Sequence, residues 1–325
     1  MKLALLATLC GLVFLAPRHV CAQELEPRAY SPAPVGTTFV IGGIGRSQGA
    51  ILLDPSLDVD NVQGDLWIAT LGAGRVFAVA GRQARILAVL PLAWGAITGD
   101  VGQLPERQDL AGLVDPRFKL SIALRGGPAL SPAEFARAPR RVVVGASVTI
   151  VPPIGQYNAA QLANLGYNRW AFKPEVGVSH QVGRWTFDVY GGVWIFTTND
   201  SYFPGTAHRQ QDPVVALQTH VSYALPRRTW LAFNGTWFTG GQTSVERIAS
   251  PDEQRNSRLG LTFSVPGVGP AVDHVYLQHR RYHSPRQRFQ HVQRDVAARV
   301  VLDTSSRGDC AGPEMTFPSA VKREP

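Results

Sequence analysis

The sequence predicts an all-β chain that forms an antiparallel transmembrane β-barrel of about twelve strands, with an atypical closure at its C-terminus. Three observations support this prediction. Apolar and polar side chains alternate along many segments, short turns alternate with long polar loops, and the N-terminus has the pattern of an export signal.

The N-terminus predicts a cleaved secretory signal over residues 1–22. Lys2 precedes an apolar run at 3–16, and Val20-Cys21-Ala22 resembles a cleavage site for small residues. A membrane anchor helix is the alternative, but the run is shorter than the about 20 residues that a helical span needs. A lipoprotein signal is a further alternative, although Val20 is bulky for that processing site. Of the 3 cysteines, Cys310 alone lies beyond the predicted signal, so no intrachain disulfide is expected after cleavage.

The strand prediction depends on a period of two, seen most clearly in residues 184–196. Trp185, Phe187 and Val189 fall on one face, while Asp188 falls on the other. This pattern is typical of a strand with two different environments, so the apolar face contacts either a protein core or lipid. The same alternation runs through residues 117–125, 141–150, 169–179, 215–223 and 258–265, and long apolar segments occupy 63–80 and 84–98.

Strand length and the rhythm of connections favour a barrel over a β-sandwich. Several segments hold ten or more alternating residues, whereas sandwich strands are usually about five or six residues long and membrane strands about 9–11. Tight turns are predicted at 81–83, 183–184 and 226–228, and longer loops at 51–61, 99–115, 154–167, 198–212 and 242–256. Membrane barrels alternate short periplasmic turns with long external loops. Helical periodicity is brief, at 131–138 and 158–165.

Tryptophans near the strand ends fit the aromatic girdles of a membrane barrel, although packing inside a protein core would explain them equally well. The residues concerned are Trp94, Trp170, Trp185, Trp194, Trp230 and Trp237. Because backbone groups in lipid must all be paired, a sheet of this kind has to close on itself.

The net charge of +8 is not concentrated in one part of the chain. Lys2 and Arg18 lie in the predicted signal, and residues 23–270 carry 21 basic and 18 acidic side chains. A nucleic-acid interface needs a basic stripe, and this nearly balanced body lacks one. We therefore expect no nucleic-acid partner.

The C-terminal part departs from the barrel pattern. After Val272 the alternation fails, and residues 303–325 show no strand pattern, which predicts a disordered tail. Histidine and arginine crowd into one stretch, namely His274, His279, Arg280, Arg281, His283, Arg286, Arg288, His291, Arg294 and Arg299. A lipid-facing Arg near the midplane costs roughly 2–4 kcal/mol. One hypothesis is a reading-frame change after about residue 271; the alternative is an external basic segment that binds lipopolysaccharide or metal, although its spacings match no tight metal site.

Several ordered motifs resemble the bacterial family named for the meta-pathway of phenol degradation. They are residues 33–39, 53–57, 168–175, 192–200, 211–213 and 256–260, including Asn168-Arg169-Trp170-Ala171-Phe172-Lys173-Pro174-Glu175. The resemblance covers roughly residues 30–266. It implies an outer-membrane β-barrel that passes or takes up small compounds, aromatic or hydrophobic ones among them. The family offers no catalytic residues to carry over.

If the apolar faces point to lipid, the polar faces line a lumen. The pore-lining candidates are Lys119, Arg125, Arg141, Arg169, Lys173, Glu175, Asp188, His220 and Arg258. Basic residues outnumber acidic ones in this set, which predicts a mild anion preference. The alternative is that these charges pair with one another and brace the barrel. His220 with Ser222 and a carboxylate suggests hydrolysis only weakly, because no sequence motif of a hydrolase accompanies it.

Together these features predict a channel or transporter in the cell outer membrane, without enzymatic activity, cofactor or metal. The alternative is an exported structural or ligand-binding β protein that transports nothing. The expected partners are outer-membrane lipid and lipopolysaccharide, the barrel-assembly machinery and a small-molecule substrate that the sequence does not identify. The predicted domain boundaries place the barrel at residues 23–302.

Overall fold

A computed structural model describes residues 26–50, 59–101, 104–161, 163–226, 229–250, 252–266, 271–282 and 294–303. The predicted signal peptide, at 1–22, and the predicted tail after residue 303 lie outside these ranges. Residues 51–58 and 283–293 lie outside them as well.

The described chain is almost entirely β-strand. Its strands are β1 (Thr38–Ala50), β2 (Val59–Val79), β3 (Arg82–Val101), β4 (Leu104–Leu113), β5 (Arg117–Arg125), β6 (Val143–Val151), β7 (Ala171–Val182), β8 (Trp185–Phe196), β9 (Asn199–Tyr202), β10 (Ala207–Gln211), β11 (Val214–Ala224), β12 (Trp230–Gly240), β13 (Thr243–Val245), β14 (Ile248–Ala249), β15 (Gln254–Pro266), β16 (Ala271–Tyr282) and β17 (Arg294–Asp303). One helix, α1 (Pro132–Arg137), joins β5 to β6.

The main sheet is an antiparallel barrel. It has 13 strands in the order β2-β1-β17-β16-β15-β12-β11-β8-β7-β6-β5-β3-β4, and β2 also pairs with β3, so the pairing runs in a closed ring. The thirteenth strand, β4, is an addition: β3 pairs with β5 around Ala84↔Ile122 and with β4 around Trp94↔Ala111. The twelve strands in the ring confirm the predicted fold.

The last two strands complete the ring despite the irregular sequence after Val272. The backbone of β17 pairs with β1 from Phe39↔Asp303 to Gln48↔Arg294, and with β16 from Ala271↔Leu302 to Tyr276↔Ala297. Backbone pairing can continue without side-chain alternation, because it uses only N–H and C=O groups. Whether the reading frame changes in this region stays a hypothesis.

Strand β8 shows how the two faces of the barrel differ. Trp185, Phe187 and Val189 are 46%, 45% and 50% exposed on the outside, whereas Thr186 and Asp188 are 2% and 1% exposed on the inside. Successive residues of a strand point to opposite faces, so the polar set fills the interior and the apolar set covers the exterior. The predicted division of this strand is confirmed.

The long connections contain more structure than the sequence suggests. The predicted loop at 99–115 is wrong, because β3 continues to Val101 and β4 pairs with it as an extended hairpin. Many side chains of β4 are polar, but strand pairing uses backbone groups and does not require apolar residues. The predicted loops at 198–212 and 242–256 contribute to a second, four-stranded sheet of order β14-β13-β10-β9.

The two short helical patterns have different outcomes. The first forms α1, where Ser131 and Glu134 make a reciprocal capping box. The second, at 158–165, forms turns, because Asn158 Oδ1 accepts a hydrogen bond from Ala160 N and Asn164 Oδ1 accepts one from Asn158 N. Such local bonds compete with a helix. Within the described ranges, no helix is long and apolar enough to span a membrane.

The predicted tryptophan girdle is correct in part. Trp94, Trp170, Trp185 and Trp237 are 40–46% exposed on the outer surface. Trp230, in contrast, is 8% exposed and takes part in the alternation of inward residues on β12. Trp194 packs against a buried cluster of Val214, Ala216 and Phe238. These last two tryptophans line the interior instead of contacting lipid.

Candidate channel lumen

The interior of the barrel carries rows of buried polar side chains. His220 lies opposite Asp188 on one neighbouring strand and opposite Asn234 on the other. A 2.8 Å hydrogen bond joins His220 Nδ1 to Asn234 Oδ1, and Asn234 Nδ2 donates a second 2.8 Å bond to Thr262 Oγ1. Burying these groups without partners would be costly, so the chain of bonds stabilises the polar face of three adjacent strands.

Residues 26–36 form a segment that crosses the interior, here called the lumen segment. It enters at the short-turn end of the barrel, where Val35 N donates to Leu130 O and Gly36 N donates to Val76 O. This is the end with the tight turns, which in membrane barrels is the periplasmic end. This segment has no periodic pattern in the sequence, so its place inside the barrel could not be predicted.

Tyr30 anchors the lumen segment to β6 and β7. Its hydroxyl donates to Glu175 Oε1 over 3.1 Å and shares a 3.0 Å hydrogen bond with Ser147 Oγ. The ring fits because Gly145 and Gly177 face it: a Cβ would lie 2.2 Å and 2.4 Å from its carbons.

Arg28 anchors the same segment to β8. Its backbone N donates to Asp188 Oδ2 and its Nη2 to Thr186 Oγ1, each over 3.2 Å. Its guanidinium lies 5.1 Å from the centroid of the Trp230 ring. Inside the barrel, Trp230 therefore contacts a cation, the Arg28 guanidinium.

Two lysines and two glutamates form an ion-pair network in the middle of the barrel. Lys119 Nζ lies 2.8 Å from Glu26 Oε2 and 3.2 Å from Glu175 Oε1, and Lys173 Nζ lies 2.8 Å from Glu175 Oε2. Lys173 and Glu175 have side chains only 2% exposed. The charges of these four residues therefore cancel within the network.

Arg85 on β3 is an interior cation that the sequence analysis missed. Its Nη1 and Nη2 donate to the backbone carbonyls of Ala29 and Ser31, over 3.0 Å and 3.2 Å. Gln83, two residues earlier, accepts a 2.8 Å hydrogen bond from Ala33 N. Arg85 directly precedes the outward Ile86 in the strand, and this alternation could have predicted that Arg85 points inward.

A second cationic region lies at the long-loop end of the interior. Arg169 precedes β7, is 7% exposed, and has its guanidinium 4.5 Å from the centroid of Phe196 and 5.7 Å from that of Tyr167. Its Nη2 donates to Gln211 Oε1. Burial, followed by the charge of Arg209, lowers the pKa of Arg169 to about 10.

Two of the predicted lumen residues lie elsewhere. Arg125 is exposed at the end of β5, because the register shifts between Ala123 and Arg125 and breaks the alternation on which the prediction depended. Arg141 is exposed as well, because it precedes the first residue of β6, Val143. Placing these two arginines inside the lumen was wrong.

The other candidates occupy inward positions, although their role in conduction stays a prediction. Lys119, Arg169, Lys173, Glu175, Asp188 and His220 lie inside the barrel with the contacts described above. The backbone of Arg258 lies opposite the buried Thr236, and its side chain is outside what the structure describes. The structure thus groups Lys119, Lys173 and Glu175 closely and keeps Arg169 apart from them.

The arrangement around His220 does not resemble a hydrolase. Its Nδ1 is paired with the amide of Asn234, where a catalytic triad would have a carboxylate. Nε2 of His220 and Oγ of Ser222 have no hydrogen-bond partner among the described residues. The hydrogen-bond chain through Asn234 gives His220 a structural role.

Comparison with known families and structures agrees with this architecture. The family described as Putative MetA-pathway of phenol degradation matches residues 58–269. The chain belongs to this family. The resemblance seen in the sequence motifs is therefore confirmed, and no curated protein matches the chain.

Among solved structures, an outer membrane channel from Pseudomonas putida F1 is similar over 86% of this chain and 100% of its own, with a TM-score of 0.67 and 20% identity. At that identity, the likeness shows that this chain shares the fold of that channel. The transport unit of the autotransporter AIDA-I from Escherichia coli covers 91% of this chain and 96% of its own, at 10% identity and a TM-score of 0.47.

Proposed function

We propose that the protein is an outer-membrane channel for small molecules. The observation that carries this proposal is the opposite polarity of the two faces of a closed ring, seen on β8 in the exposed Val189 and the buried Asp188. An apolar exterior suits lipid, and an interior of charged and hydroxyl groups suits a hydrated passage. The membership in the phenol-pathway family and the fold of the Pseudomonas putida channel support it.

The proposed channel prefers anions. Lys119 and Lys173 are neutralised by carboxylates, but Arg85 donates to backbone carbonyls and Arg169 donates to a glutamine side chain. These two arginines leave a positive charge at each end of the passage. Positive rings in a pore attract anions and repel cations. Small organic compounds, aromatic ones among them, are the proposed substrates.

The placement that goes with this function is the outer membrane, after removal of a signal at 1–22 and insertion by the barrel-assembly machinery. The proposed barrel spans residues 23–302, with outer-membrane lipid and lipopolysaccharide around it. Extraction only by detergent and a heat-dependent gel shift of the expressed protein test this placement. Release with the periplasmic fraction would contradict it.

Reconstitution in planar bilayers tests the function itself. The purified chain is expected to give discrete current steps, and a KCl gradient is expected to give a reversal potential on the chloride side. Cation-selective steps would contradict the anion preference. A folded, inserted protein that gives no current, either intact or with residues 26–31 deleted, would contradict channel function.

The lumen segment supports a second candidate, a barrel without transport. Tyr30 and Arg28 cross the interior and are held by hydrogen bonds to three strands. A passage obstructed in this way suits a structural or ligand-binding barrel. If deletion of residues 26–31 opens a current that the intact chain lacks, the intact protein is closed at rest; if neither conducts, the second candidate stands.

A further inference from the structure

Arg169 is buried without a carboxylate partner among the described residues. Arg169 is more than nine-tenths buried, and its Nη1 has no hydrogen-bond partner among the described residues. Its Nη2 donates to Gln211, which is neutral. A buried guanidinium is normally matched by a carboxylate, because an uncompensated charge is costly to bury.

The Asp115 carboxylate favours the charged form of Arg169, but both of its oxygens accept hydrogen bonds from backbone N–H groups. Asp115 Oδ1 accepts a 2.7 Å hydrogen bond from Gly155 N, and Oδ2 accepts one of 2.7 Å from Tyr167 N. These bonds fix the loop that carries Arg169. Asp115 thus holds the site in place and does not form a salt bridge with the arginine among the described contacts.

The local backbone also holds Arg169 in position. Asn168 has a φ of 52°, in the left-handed region that Asn tolerates better than most residues. Its Nδ2 donates to Asn199 Oδ1 over 2.9 Å, and Asn199 Nδ2 donates to Tyr157 Oη over 3.0 Å and to Tyr167 O over 3.2 Å. Two external loops are therefore tied together around one arginine.

A second cation adds to the positive potential. Arg209 on β10 repels Arg169 strongly enough to contribute to its lowered pKa, and its own guanidinium lies 5.2 Å from the centroid of the Tyr202 ring. Two neighbouring guanidiniums create a local excess of positive charge, which an anion relieves.

Aromatic rings surround these cations. Phe196 lies under Arg169 and stacks with Trp194 at a centroid distance of 6.4 Å and an interplanar angle of 10°. Trp194 and Phe196 both pack against the buried cluster of Val214, Ala216 and Phe238. The flat, apolar surroundings of the charge suit the body of a planar ring.

We propose that this region binds a small aromatic carboxylate, whose carboxylate group is held by Arg169 and whose ring packs among Trp194, Phe196 and Phe238. Since the region faces the long-loop end, which is the external end of a membrane barrel, the ligand is captured before it passes inward. The inference rests on the proposed channel function and adds the substrate class and the residue that recognises it.

Isothermal titration calorimetry on the detergent-solubilised full chain tests the site, with benzoate as the probe. Benzamide has the same shape without the charge, and acetate has the charge without the ring. Saturable heat is expected for benzoate, weaker binding for acetate and none for benzamide. No saturable heat with benzoate, or equal affinity for benzamide, would overturn the proposal.

Variants separate the arginine from the rest of the barrel. Arg169→Gln is expected to lower benzoate affinity at least about tenfold, as the loss of a charge-assisted bidentate bond requires. Arg169→Lys, which keeps the charge but not the fork, is expected to bind with intermediate affinity. Arg107→Gln, at an exposed arginine of β4, is the matched control and should bind like the original chain.

Each variant is first checked by its heat-dependent gel shift, so that a misfolded protein is not read as a binding defect. If folded Arg169→Gln binds benzoate like the original chain, the proposal fails. Planar-bilayer currents test channel function separately from the binding site. If the protein gives current but does not bind benzoate, the proposed site is contradicted and channel function is supported. If benzoate binding depends on Arg169 but the protein gives no current, channel function is contradicted and the site is supported.

Discussion

Tyr30 Oη donates a 3.1 Å hydrogen bond to Glu175 Oε1, which links the segment before the first strand to the seventh strand, 145 residues away. The same carboxylate pairs with Lys119 and Lys173. Glu175 therefore holds the tyrosine that obstructs the lumen and also neutralises lysine charge inside the barrel. The following predictions test these two functions of one side chain, together with the two faces of the barrel.

Removing the Tyr30 ring is expected to widen the passage. Tyr30→Ala takes away the ring that fills the space between Gly145 and Gly177, so single-channel conductance should rise. Tyr30→Phe is the control: it keeps the ring and loses the hydroxyl, which costs about 1–3 kcal/mol for the buried partners left unpaired. Conductance of Tyr30→Phe should stay near that of the original chain, while its unfolding midpoint in urea decreases. Equal conductance for both variants would exclude Tyr30 from the constriction.

A methyl group at Gly177 is expected to displace the lumen segment. The Cβ of Gly177→Ala would lie 2.4 Å from one Tyr30 carbon and 2.5 Å from one Tyr190 carbon, closer than any real contact. Protease cleavage within residues 26–31 should therefore become faster in the folded protein. Gly191→Ala, where the new Cβ meets nothing within 4 Å, should be cleaved like the original chain. Unchanged cleavage of Gly177→Ala would contradict the tight fit.

Charge changes in the central network are expected to tune ion selectivity. Glu175→Gln leaves two lysines without their shared carboxylate, so the reversal potential in a KCl gradient should move further to the chloride side. Lys173→Gln should move it the other way. Movement in the same direction for both variants would mean that the network does not lie along the ion path.

A charged residue on the outer face of the barrel is expected to destabilise the protein. Val189 is 50% exposed in the middle of β8, and Val189→Arg should lower the free energy of unfolding from lipid vesicles by roughly 2–4 kcal/mol. Ile248→Arg makes the same kind of change at a 75% exposed residue of the small outer sheet, beyond the membrane. That variant should be nearly neutral. If both variants cost the same, the outer face of β8 does not contact lipid.

The alternation of apolar and polar residues is a local property of the sequence, and the structural features that depend on it could be predicted. The fold class, the twelve-strand ring and the two faces of β8 follow from a period of two, because each residue's side is fixed by its neighbours in the strand. Where the local rule breaks, the prediction fails. The register shift before Arg125 and the late start of β6 after Arg141 removed both residues from the lumen.

Local sequence patterns are enough to predict a closed sheet with a polar interior and an apolar exterior. The contents of the interior depend on the tertiary structure, in which Glu26 pairs with Lys119, Tyr30 donates to Glu175, and Arg169 has no carboxylate partner among the described residues. The reason is physical. A strand's period fixes which face a residue is on, but strand register and ring closure fix which residues meet across the lumen, and neither is written in a local pattern.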